Sequence, residues 1–174
     1  MIKILMFAIS LLLLSTTLSM ADNEFFLKID MTYSETSKDS NSQRYLIEMK
    51  DKNLNYEYSY SGFPFPENSN ESVARTLSSE ELDGIITYIK NKKINTSIVE
   101  NKPQTANGST NRIHLSLLLT LDGQTVESEI SGILNISRAD GKTSSVTLEN
   151  KSYIKNVHFL VQRLKASSSE KIRN

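Results

Sequence analysis

The sequence predicts an α+β fold: an antiparallel meander sheet of about six to eight strands with two amphipathic helices packed on one face. Three observations carry this. Runs of period-two alternation recur along the chain, and Asp-Gly pairs sit between two sets of them. The two stretches of helical periodicity fall between and after the strands, where hairpin turns rather than crossover connections prevail.

Phe25, Leu27, Ile29, Met31 and Tyr33 alternate with Phe26, Lys28, Asp30, Thr32 and Ser34, which marks a half-buried strand. Residues 35–42 are polar and read as a loop. Tyr45, Ile47 and Met49 form a second stripe, Asp51-Lys52-Asn53 is turn material, and Leu54, Tyr56, Tyr58 and Tyr60 form a third. The second and third strands therefore make a hairpin. Ser61-Gly62-Phe63-Pro64-Phe65-Pro66 breaks the alternation, because each proline removes a backbone donor and holds its predecessor extended. Residues 67–72 read as a polar connector.

A helix is expected over 79–91. Ser78 is placed to cap it and Glu81 to reach back, while Leu77 and Leu82 have the spacing of a hydrophobic staple. Leu82, Ile85, Ile86 and Ile89 then recur on one face, with Lys90, Lys92 and Lys93 at the negative end. Residues 94–99 suggest a short strand, and 100–111 a polar loop. Ile113, Leu115, Leu117, Leu119 and Leu121 line a strong strand, which Asp122-Gly123 turns back through Val126, Ser128 and Ile130. Gly132 is a candidate bulge, and Asp140-Gly141 joins 133–138 to 143–148. Asn150 is placed to cap a last helix carrying Ile154, Val157, Val161 and Leu164.

The N-terminus has the layout of a secretory signal peptide. Lys3 is followed by an apolar run from Ile4 to Leu14, then small residues leading to Ala21. About 11 apolar residues span roughly 16 Å as a helix, too short for a hydrocarbon core near 30 Å. The expected domains are therefore a signal peptide at 1–21, one α+β domain at 22–165 and a flexible tail at 166–174. An exported product, periplasmic or extracellular and without a transmembrane segment after cleavage, follows from that layout.

Residues 22–174 carry 19 Lys and Arg against 20 Asp and Glu, a balance that argues against a nucleic-acid partner. The absence of cysteine removes thiol catalysis, thiolate metal sites and disulfides. The two histidines, His114 and His158, stand outside any ligand or triad spacing, so neither metal nor cofactor is expected. Glu80, Glu81 and Asp83 are explained by a helix N-terminus, and Glu127 with Glu129 by a solvated strand face.

The remaining candidate is aromatic. Tyr56, Tyr58 and Tyr60 share one strand face and lead into Phe63 and Phe65 on a proline-stiffened loop. Leu54 shares the tyrosine face, which favours core for the tyrosines over an exposed contact surface. The expected function is non-enzymatic: an exported binding or interaction module for a protein or peptide. The alternative is a secreted hydrolase inhibitor that presents residues 61–66 to an enzyme cleft.

Overall fold

Period-two alternation becomes sheet throughout the described residues of this computed structural model, which are 24–36, 40–62, 69–102, 109–137, 143–145 and 148–169. Four strands come first: β1 Phe26–Thr36, β2 Asn41–Lys50, β3 Asn53–Gly62 and β4 Ser69–Thr76. Helix α1 spans Ser79–Asn91, followed by β5 Val99–Asn101, β6 Ser109–Leu121, β7 Gln124–Ser137 and β8 Thr143–Ser145. Helix α2, Lys151–Ser169, closes the order. One sheet holds all eight strands, in the order β4-β3-β2-β1-β6-β7-β5, with β8 also on β7. The fold is α+β and mostly antiparallel.

The meander is interrupted at two places that the sequence did not mark. β1 pairs with β6 along Phe26–Thr36, a long-range seam in which Ile29 faces Leu117. β5 runs parallel to β7, pairing Glu100 with Ile130. The expected strand at 94–99 shares only Val99 with β5, whose Glu100 and Asn101 fall in the expected loop, and Ile94 instead closes the end of α1. Residues 69–76, partly read as connector, form β4 against β3. The bulge lies two residues beyond Gly132, since Arg112 faces Ile133 while Asn111 faces Asn135, leaving Leu134 extra. Gly132 serves close approach instead: a Cβ there would stand 2.8 Å from Leu148 Cδ2.

The core lies between the sheet and the helices. Leu27, Ile29, Met31, Ile47, Met49, Leu115 and Leu117 point at it from the strands, and Ile89, Val157, Val161 and Leu164 from the helices. The helices cross the strands in opposite directions. α1 leaves the β4 side, where Arg75 bridges to Glu81, and ends near β7; α2 starts beside β5 and ends over β3 and β4, where Lys165 meets Tyr58 and Glu71. Tyr88 joins them, donating to the Asn156 carbonyl at 3.3 Å and lying 5.0 Å beneath the Arg163 guanidinium. α2 continues to Ser169, beyond the boundary at 165 expected from the polar tail.

α1 matches its expected bounds, and the physical reason is local. Ser78 Oγ accepts from Glu81 N at 3.1 Å, and Glu81 Oε2 accepts from Ser78 N at 2.7 Å. Its end is a Schellman turn without glycine: Ile94 N donates to Ile89 O at 3.0 Å, and Lys93 takes the left-handed position at φ 55°.

α2 begins differently. Glu100, only 7% exposed, accepts from the backbone N–H of Glu149 at 2.8 Å and of Asn150 at 3.1 Å. Asn150 spends its own side-chain amide on the same carboxylate at 2.9 Å. Burial pushes the Glu100 carboxyl up, but these donors together with Lys102 hold it below its usual range. No described helix is long and apolar enough to cross a membrane.

Candidate functional site

The two ends of the sheet are built unlike each other. At one end the hairpins are tight: Asp51-Lys52 joins β2 to β3, and Asp122-Gly123 joins β6 to β7 with both residues at positive φ. The Asp51 carboxylate also accepts from Phe25 N at 3.2 Å, tying β1 to that turn. At the other end β1 and β2, β3 and β4, β5 and β6, and β7 and β8 are joined through longer stretches of sequence, of which 37–39, 63–68, 103–108 and 138–142 lie outside the described residues. β3 carries its tyrosines from the core to that end.

Along β3 the tyrosines divide into one that is buried and two that are half-buried. Tyr56 is wholly buried, and its ring belongs to the core with Leu54 and Ile47. It is therefore removed from the expected contact set: the strand places it beneath the helices, where no partner reaches it. Tyr58 is half-buried, its ring 5.0 Å from that of Tyr45 and 4.6 Å beneath the Lys165 ammonium. Tyr60, also half-buried, sits two residues from the strand end, opposite Gln43 on β2 and Ser69 on β4. Phe63 and Phe65, the other two expected contact residues, lie outside the described residues.

Beside these tyrosines is a cleft of about 450 Å³ between β1, β2, β6 and α2. Tyr33 and His158 form its inner wall, with the Tyr33 hydroxyl 3.2 Å from His158 Nδ1 and the rings edge-on. Glu35 and Asn41 form its rim, joined at 3.0 Å. Burial, reinforced by Tyr45, pushes the Tyr33 hydroxyl up to about 12, and burial holds the His158 ring below its ordinary value. At neutral pH both groups are uncharged, so this wall offers hydrogen bonds and ring surfaces. In the sequence His158 stands outside any ligand or triad spacing. Its pairing with Tyr33, 125 positions away, carries no local signal.

The sheet face away from the helices is polar. Arg44 grips Asp30 through two bonds, at 2.9 and 2.6 Å, and holds its carboxyl below the ordinary range. Lys28 faces Glu48 across the same strands at 3.7 Å. His114, Glu127 and Glu129 are exposed there, as their register predicts. The other acidic cluster is occupied: Glu81 is consumed by Ser78 N and by Arg75, which keep its carboxyl low. Among the described residues no group of three His, Cys, Asp or Glu side chains could hold a metal ion. Compared with known proteins, the sequence matches no family model and no curated protein.

Proposed function

We propose that this chain is an exported, non-enzymatic binding module that takes a protein or peptide partner at the long-connection end of its sheet. The contact set is Tyr58, Tyr60 and the Phe63-Pro64-Phe65-Pro66 connection that follows them. The observation that supports this reading is the change in burial along β3, from Tyr56 in the core to the half-buried Tyr58 and Tyr60 nearer the strand end. Aromatic side chains on a paired strand lose little conformational freedom on binding, and the two prolines restrict the adjoining chain. Export rests on residues 1–21, whose composition is that of a cleavable signal.

Affinity capture from the native envelope and secretome tests the contact set, comparing the parent with Tyr60→Ala and Phe63→Ala/Phe65→Ala variants. A partner retained by the parent and lost by folded variants is the expected result. Equal capture by all three chains overturns the site. If the captured partner is a hydrolase whose turnover falls on binding, the module is an inhibitor. Intact mass of the exported protein tests the leader, with a start at Asp22 expected and retention of Met1 overturning export.

A further inference from the structure

We propose that β4 pairs with β4 of a second copy of this chain, joining two sheets into one about a two-fold axis at Val73. β4 is an outer strand: β3 occupies one of its edges, and no described strand lies on the other. Eight residues of open edge form a template for a further strand. What that strand must match is set by the helix-side face of β4, where Glu71, Val73 and Arg75 alternate with the exposed Asn70, Ser72 and Ala74.

Antiparallel pairing centred on Val73 sets that residue opposite its own copy. The same register puts Glu71 opposite Arg75 of the second copy, and by symmetry Arg75 opposite Glu71. Directly opposed side chains have Cβ atoms about 4.5–5.5 Å apart, close enough for both charge pairs to form. Within the chain Glu71 already faces Lys165 at 3.7 Å, and Arg75 already holds Glu81. The second copy extends these pairs. Read across the junction, Lys165, Glu71, Arg75 of the second copy and its Glu81 alternate in sign.

Among the registers that keep all four helices on one side, only the axis at Val73 sets Glu71 opposite Arg75; axes at Ser72 and Ala74 set each charge opposite an uncharged residue. An axis at Glu71 sets glutamate against glutamate, and an axis at Arg75 sets arginine against arginine. Inward charges on an edge strand ordinarily discourage pairing. Here they repel in the registers centred on Glu71 and Arg75, face uncharged residues in those centred on Ser72 and Ala74, and attract only in the self-complementary one. A strand edge is a small interface, so the association is concentration-dependent.

The chain has no cysteine, which makes the axis directly testable. In the full-length protein, Val73→Cys introduces the sole thiol beside its own copy, and mild oxidation should give a covalent dimer. Ser69→Cys is the control: its copy lies roughly 26 Å away in this register and should stay uncoupled. Sedimentation equilibrium adds the charge test. Glu71→Arg should weaken association at least tenfold, and Glu71→Arg/Arg75→Glu should restore it while severing both internal pairs. A parent that stays monomeric up to its solubility limit overturns the proposal. So does coupling at Ser69→Cys equal to that at Val73→Cys. The cysteine pair changes no charge, so it decides the question even if a charge variant fails to fold.

Discussion

Helix α1 is capped from within one turn of its own sequence, by Ser78 and Glu81, whereas α2 is capped from about 50 residues away, by Glu100 on β5. Both solutions give backbone N–H groups at a helix start a carboxylate, and both leave that carboxyl below its ordinary range. The first forms as soon as the local chain turns. The second exists only once β5 has joined β7 and α2 has docked, so the start of α2 depends on tertiary assembly. Glu81 lies near the surface while Glu100 is buried, which raises the cost of losing the second.

The largest expected effect is therefore at Glu100. Glu100→Ala strands two backbone donors and the Asn150 amide, and should cost about 3 kcal/mol, or roughly 6–12 °C in Tm. Urea denaturation measures it; a loss no larger than that of Ser78→Ala would erase the distinction between the two caps. Ser78→Ala should cost about 1 kcal/mol. Hydrogen exchange should place that loss in the first turn of α1, with the start of α2 still protected.

Acid should act on both caps alike. A carboxyl depressed in the folded state stabilises above its unfolded pKa, near 4.5 for Glu, and loses that contribution as pH falls through its folded value. Stability should therefore decline below about pH 4.5, and Glu81→Gln and Glu100→Gln should each flatten the decline. An acid limb unchanged in both variants would exclude these two groups as its source.

The smallest effects lie at the α1 positions that break helix rules. Gly84 sits in the helix with nothing within 4 Å of a built Cβ, so Gly84→Ala should stabilise by about 0.5–1 kcal/mol. Lys93→Gly should gain a similar amount by relieving the left-handed backbone at φ 55°. Shifts in denaturation midpoint at constant slope would register both, and a destabilising result at either would show a contact absent from this account.

Much of the fold was legible, and what was legible is local. Ser78-Ser79-Glu80-Glu81 announced α1, and Asp122-Gly123 announced its hairpin. The stripe from Ile113 to Leu121 announced the inner face of β6. β4 was missed because Glu71 and Arg75 interrupt its inner face, and charge there reads as loop until Lys165 and Glu81 are seen beside it. The candidate site was half legible. Three tyrosines on one face were plain in the sequence, but which of them is buried depends on where the helices cover the sheet.

The sequence by itself determined which residues face inward on most strands, where α1 starts and stops, and where two tight turns fall. Periodicity, capping and turn geometry act over a few residues and need no distant partner. Only the tertiary structure decided that β1 lies against β6, that β5 runs parallel to β7, that Glu100 starts α2, and that Tyr33 meets His158. Those pairings join segments dozens of residues apart, and their stability comes from burial that no single segment achieves alone.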